Sequence, residues 1–234
     1  MRQVVFDLET TGFKFSEGNR IVEIGAIELM NGAVTGKSFH TYVNPERDMP
    51  EGAFKIHGLS AAFLADKPLF TDEEAAPAFC AFVGDAELIA HNGVSFDLPF
   101  LQAELKVADL PLLENKLFDT LHFARRKFPG APASLDALCS RFGIDTKQRE
   151  RDGHGALLDS RLLAEVYIEL TGGAQAGFDL AHRSDAEEET EKRDDVATRP
   201  TGRPAPLPAR ISDDERAAHA AFIKELGENC LWRQ

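Results

Sequence analysis

The stretch "VVFDLETTG" near the amino terminus carries two acids, Asp7 and Glu9, into an otherwise apolar run. Successive side chains of a strand point to opposite faces, so Phe6 and Leu8 share one face and Asp7 and Glu9 the other. A strand of this composition belongs in a core. Two carboxylates side by side at its end resist ionisation, and a dry site tolerates both charges only if something cationic sits between them. The plain alternative is a strand end frayed into water with both acids solvated, and the rest of the chain has to separate the two.

Two further acids stand where a polar group is unexpected. "AHNGVSFDLPF" puts Asp97 after a short apolar run and two residues before Pro99, which suits either an ordinary helix N-cap or a carboxylate delivered beside a strand end. In "ALLDSRLLAEVYIEL", Asp159 has Leu163 at i+4 and Val166 at i+7, so it lies on the apolar stripe of a helix. His154 stands between Gly153 and Gly155, five residues ahead of Asp159. Positions i and i+5 do not share a helix face, which places His154 on a loop leading into that helix, where the flanking glycines let the ring swing. Just upstream, Lys147, Arg149 and Arg151 alternate; with Arg125-Arg126-Lys127 they are two small basic clusters.

Residues 2–9, 21–30 and 37–44 read as three strands joined in hairpins, and 87–92 as a fourth, buried strand. The segment 61–83 reads as mostly helical. Helices are also expected after Asp97 with Pro99 in the first turn, over "SLDALCSRFGI" up to Gly143, and over 156–170, closed by Gly172-Gly173. Three strands in hairpins followed by strands alternating with helices predict an α/β domain over 1–173, a mixed sheet flanked by helices. Charge and proline dominate 184–210, so this is a flexible linker. Order returns over 211–234, where Ser212 and Glu215 form an S-x-x-E capping box, Ala218, Phe222 and Leu226 follow on one stripe, and Trp232 lies beyond.

Composition narrows the function. Apolar residues make up 43% of the chain without a run approaching the roughly 18 residues of a membrane span, which predicts a soluble cytoplasmic protein with no membrane partner. Cys80, Cys139 and Cys230 show no pairing motif, so neither a disulfide framework nor a zinc site is expected. The net charge of −13 argues against a broad basic face for nucleic acid, so any such contact is local, bridged by metal or assisted by a partner.

"DLETTG", "HNGVSFD" and "HGALLDS" resemble, in order and spacing, the three exonuclease motifs of the DEDD nuclease superfamily, in the subgroup whose third motif reads H-x-A-x-x-D. Each motif alone is weak; the ordered set of five residues is specific. "RIVEIGAIEL", "AFKIHGLS", "FDTLHFARRKFPG" and "SLDALCSRFGID" extend the likeness over nearly all of residues 2–173, and within the superfamily it is strongest to the proofreading (epsilon) subunits of bacterial DNA polymerase III.

The resemblance implies an RNase H-like fold and a 3′-to-5′ exonuclease acting on single-stranded or frayed 3′ DNA ends. Asp7, Glu9, Asp97 and Asp159 would hold two divalent cations, Mg2+ or Mn2+, and His154 would be the general base. Thr10, Thr11 and Gly12 would present backbone N–H groups to the terminal nucleotide alongside Asp7, Glu9 and Asp159, and His57 would line the substrate pocket. The family often has glutamate five residues before that histidine; here the position is Gly52, with Glu51 offset by one. The segment 174–183 resembles a sliding-clamp peptide through Gln175, Phe178 and Leu180, and Phe222, Leu226 and Trp232 would dock on the polymerase catalytic (alpha) subunit. A small accessory (theta-type) subunit is left open as a partner. The rival readings are a free-standing RNA-trimming enzyme, which has no use for the linker and terminal helix, and a catalytically silent tether, which has no need of all five motif residues.

Overall fold

In the computed structural model, which describes residues 1–172 and 212–225, the first three strands are β1 (Arg2–Thr10), β2 (Ile21–Met30) and β3 (Ala33–Tyr42). Helices α1 (Glu51–His57), α2 (Ala61–Leu64) and α3 (Ala76–Val83) lead to β4 (Glu87–Ala90). After it come α4 (Asp97–Val107), β5 (Leu117–Asp119), α5 (Thr120–Lys127), α6 (Leu135–Phe142), α7 (Lys147–Asp152) and α8 (Ala156–Thr171). The sheet order is β3-β2-β1-β4-β5. β2 is antiparallel to β1 and β3, whereas β4 is parallel to β1 and β5. This is the expected mixed sheet, with β1 at its centre.

The parity of β1 separates two cores. Val4, Phe6 and Leu8 pack with Phe79, Val83, Phe100, Leu101 and Leu105 of α3 and α4. Val5 faces the other way, with Ile89, Leu138, Leu163 and Val166 of β4, α6 and α8. Gln3 shares that second face and donates to the Tyr167 hydroxyl of α8 at 2.7 Å. Asp7 and Glu9, two and four residues beyond Val5, therefore emerge beneath the start of α8, as the alternation required.

One glycine sets how close α8 comes. Gly25 of β2 lies opposite Asp7 in the β1–β2 register, and a Cβ built on it would fall 2.2 Å from the Ala156 carbonyl carbon and the Leu157 nitrogen. The Ser160 hydroxyl donates to the Gly25 carbonyl at 2.9 Å across the same contact. Backbone lies directly on backbone here, and Asp159 is carried down onto the sheet.

Several expectations are corrected. The third strand begins at Ala33 rather than 37, because β2 and β3 turn tightly through Asn31-Gly32, both at positive φ, and pair from Met30↔Ala33 onward. Only Ala61–Leu64 and Ala76–Val83 of the segment 61–83 are helical; Pro68 and Pro77 interrupt the pattern between and at the start of these pieces. Helices α1, α5 and α7 and the three-residue β5 were not expected as elements. In the second segment, α9 (Asp213–Glu225) opens with the expected capping box: Glu215 N donates to Ser212 Oγ at 3.3 Å, and Glu215 Oε2 accepts from Ser212 N at 2.8 Å. Phe222 is 58% exposed on this helix. Gln175, Phe178, Leu180, the linker 184–210, Leu226 and Trp232 lie outside the described residues.

Gly25→Ala should shift α8 and lower stability by about 1–3 kcal/mol or more, as overpacking does when backbone is the obstacle, measured by chemical denaturation. A change under about 0.5 kcal/mol would contradict the close contact.

Candidate active site

Four carboxylates reach one place from three elements: Asp7 and Glu9 from the end of β1, Asp97 from the first turn of α4, and Asp159 from the first turn of α8. Asp97 does not cap its helix; Phe96 occupies the N-cap position and no side chain caps there. Instead Asp97 is 2% exposed and its Oδ1 is buried with no hydrogen-bond partner. Asp159, 4% exposed, likewise has its Oδ1 without a hydrogen bond. Buried polar atoms are nearly always bonded, so Asp97 Oδ1 marks a place in the cleft that suits a cation, whereas Asp159 Oδ1 already has the guanidinium of Arg149 2.7 Å away, though without an aligned hydrogen bond. Ligand atoms of Glu9, His154 and Asp159 all lie within 4.8 Å of one another.

The electrostatics agree. Burial, then Asp97, Glu9, Asp159 and Glu23, hold the Asp7 carboxyl well above the usual range. Glu9 is pushed up to about 8 by burial, with Asp159 and Glu23 adding to it and Arg149 opposing. Burial raises Asp97 to about 7, against the pull of the Asp97 and Leu8 backbone N–H groups. Asp159 is also raised by burial, partly offset by Arg149 and His154. All four are oxygen donors, the hard ligands that suit Mg2+ or Mn2+, and the cleft fits such cations.

His154 is exposed, on the Gly153–Gly155 loop. Gly153 takes φ 83°, and His154 N reaches the Ile56 carbonyl of α1 at 3.4 Å, so the loop is seated on a helix the sequence did not announce. The His154 ring reaches Asp159, with Nδ1 3.3 Å from Oδ2. His57 ends α1 and shares a cavity of about 360 Å³ with His154. Its Nδ1 accepts from Leu59 N at 3.1 Å while the buried Nε2 is unpartnered, and burial lowers its pKa. Gly52 is open, with nothing within 4 Å of a Cβ built there, and Glu51 pairs on the exterior with Lys55 at 2.6 Å, so neither brings a carboxylate to the cleft.

The turn after β1 behaves differently from the expectation. Thr11 is 1% exposed, its N–H goes to the Arg20 carbonyl at 2.9 Å, and its hydroxyl accepts from Arg20 N at 3.0 Å. Thr11 thus shapes the turn from inside and has no N–H to present. Thr10 Oγ1 donates to the Gly12 carbonyl at 2.8 Å, and Gly12 is packed so closely on Asn19 that a Cβ would fall 2.7 Å from its side chain.

Two site residues escaped the sequence reading. Glu23, 3% exposed, stands directly across the ladder from Glu9 and is bonded to His40 Nε2 at 2.7 Å. β2 is buried on both faces, so alternation could not single out its acid. Arg149, seen only as part of a basic cluster, enters the cleft with its Nε 2.7 Å from Asp159 Oδ1.

A family model described as exonuclease (RNase_T) matches residues 4–167. The DNA polymerase III subunit epsilon of Rickettsia felis is 51% identical over 188 residues, 79% of this chain and 80% of its own. The protein of the same name from Escherichia coli K12 is 39% identical over 244 residues, covering 99% of this chain and 97% of its own. Among solved structures, Exonuclease X in complex with 5′ overhanging duplex DNA matches with a TM-score of 0.57 and 26% identity, over 72% of this chain and 90% of that one.

The raised carboxyls give a signed pH dependence. A group with a raised folded-state pKa binds its proton more tightly in the fold, so its contribution is present below the unfolded value and lost as pH rises through the folded value. In chelator, stability should fall as pH rises from about 4.5 to about 8, the window bounded by the ordinary and folded values of Glu9. Glu9→Gln should flatten that fall in urea melts at several pH values; an equally steep fall in the variant would contradict the crowding of these acids.

Proposed function

This chain belongs to the exonuclease family, among the epsilon subunits of DNA polymerase III, and on that premise we propose that its acid cleft hydrolyses the last phosphodiester of a 3′ DNA end with His154 taking the proton from the attacking water. The protein is a 3′-to-5′ DNA exonuclease that removes mispaired nucleotides for a replicative polymerase. An exonuclease fold of this type uses divalent metal ions. The observation that carries the assignment of residues is the convergence of four buried carboxylates in one cleft, with Asp97 Oδ1 lacking any hydrogen-bond partner.

Two cations, Mg2+ or Mn2+, would be held by Asp7, Glu9, Asp97 and Asp159; when bound they supply charge neutralisation at the scissile phosphate and activation of water near neutral pH. The chain's own residues do the rest. Asp7 and Glu9 sit on a central strand with Leu8 locked in the core between them, which fixes their spacing. His154 sits exposed at the mouth beside Asp159, where an imidazole nitrogen can accept the proton of a water. His57 lines the adjoining cavity with an unpartnered Nε2 that serves as a donor to the terminal nucleotide. With divalent charge held by these carboxylates, a net charge of −13 would not oppose DNA at this point.

The relatives' polymerase-subunit names and their match over nearly the whole chain favour DNA over the RNA-trimming alternative. The wider assembly is part of the proposal: residues 174–183 bind the sliding clamp through Gln175, Phe178 and Leu180, residues 184–210 are the linker, and residues 211–234 dock on the alpha subunit through Phe222, Leu226 and Trp232. The exposed Phe222 of α9 supports the last point, since a short helix gains its stability from burying such a face. The assembly works in the cytoplasm.

Asp7→Ala or Asp159→Ala should remove nearly all release of mononucleotides from 3′-mismatched primers, and substantial residual hydrolysis would sink the carboxylate assignment. His154→Ala should lower kcat by about 10²- to 10⁴-fold and erase the acidic limb of the rate–pH profile; an intact limb would remove His154 from the role of base. Truncation after Leu180 should leave hydrolysis of free single strands near wild type while co-purification with the alpha subunit is lost, and retained binding would overturn the docking assignment.

A further inference from the structure

Arg149 holds two groups that the reaction needs. Its Nη2 donates to Asp159 Oδ2 at 3.0 Å and lies 2.8 Å from His154 Nδ1, and its Nη1 pairs with Asp136 at the start of α6. The Arg149 side chain is 10% exposed and its contact with Asp159 is made inside the protein, while His154 and Asp136 meet it from the solvent side. A guanidinium has donors only, so the His154 Nδ1 that faces it is the nitrogen with the lone pair. Arg149 thus engages at once a carboxylate of the cation set and an acceptor nitrogen of the base.

The grip is incomplete on one side. Arg149 Nε is 2.7 Å from Asp159 Oδ1, yet neither atom makes a hydrogen bond, because the pair is out of line. Asp159 Oδ1 is therefore attracted to the guanidinium but still open to a stronger ligand. A divalent cation on that oxygen would stand within a few ångströms of the guanidinium charge, and the two would repel strongly in a site this dry. Asp136, whose side chain is 67% exposed, offers Arg149 a second anchor on the solvent side of the same cleft.

We infer that Arg149 is an intrinsic competitor of the cations: it neutralises Asp159 and orients His154 by itself, and cation binding shifts it onto Asp136, releasing the His154 lone pair. Arg149 is thereby a positioning residue that sets metal affinity and couples metal binding to readiness of the base. The inference rests on the reading of Asp159 as a cation ligand.

The test is Mn2+ binding to the full-length protein, followed by the electron paramagnetic resonance of free Mn2+, with no substrate present. Asp159→Asn tests the underlying reading and should weaken binding; unchanged affinity there would overturn the ligand assignment and the inference with it. Arg149→Gln should tighten Mn2+ binding about tenfold, the scale of one charge-assisted hydrogen bond, with Arg149→Lys in between. Arg161→Gln, the same charge change at a residue lining the His154 cavity, should alter affinity less than about twofold and so controls for general electrostatics. Asp136→Asn should weaken binding, opposite in sign to Arg149→Gln. If Arg149→Gln folds only with Mn2+ present, that also supports the competition, and if it does not fold at all, Arg149→Lys decides by the same criterion. Weakened or unchanged Mn2+ affinity in a folded Arg149 variant, with Asp159→Asn weakened as expected, would overturn the inference alone.

Discussion

Carboxylates that cannot all be charged at once govern this molecule. Asp7 and Glu9 on one strand face, Asp97 at a helix start and Asp159 on an apolar stripe each cost stability where they stand, because burial favours their protonated forms, with repulsion from the other acids of the set adding at Asp7 and Glu9. A fold selected only for stability would replace some of them with apolar residues of similar volume. Their concentration at one place becomes tolerable when positive charge is brought among them, of which Arg149 supplies one unit at Asp159.

The scaffold is organised to hold the acids together against that repulsion. β1 is central in the sheet and packed on both faces, so its end cannot splay. Gly25 removes the side chain that would keep α8 off the sheet, and Ser160 bonds its carbonyl, which brings Asp159 down onto the acids of β1. Arg149 brings an opposing charge to Asp159, and Glu23 is hydrogen-bonded to His40. Rigidity thus belongs to the four acids, while His154 is placed on a glycine-flanked loop at the surface.

How much of this was legible in the sequence differs residue by residue. Strand parity placed Asp7 and Glu9 together, and helical spacing placed Asp159 inward; both rest on periodicities that the core enforces. Asp97 is ambiguous in the sequence between cap and ligand; the structure puts Phe96 at the N-cap position, which rules out the cap. The helix α1 escaped because "EGAFKIH" is one short turn-rich piece with glycine in its first turn, and α7 because "KQRERD" has no apolar stripe at all. Glu23 escaped because β2 is buried on both faces and shows no alternation. Arg149 escaped for a deeper reason: its partners Asp136, His154 and Asp159 sit on different elements, and nothing local records their convergence.

The central claim, that these four carboxylates are ligands of divalent cations, is tested most directly by an anomalous diffraction map of crystals grown with Mn2+. The account predicts anomalous peaks within bonding distance of Asp7, Glu9, Asp97 and Asp159, with the two ions about 3.5–4 Å apart. A well-occupied Mn2+ elsewhere on the molecule, with these carboxylates unligated, would contradict it.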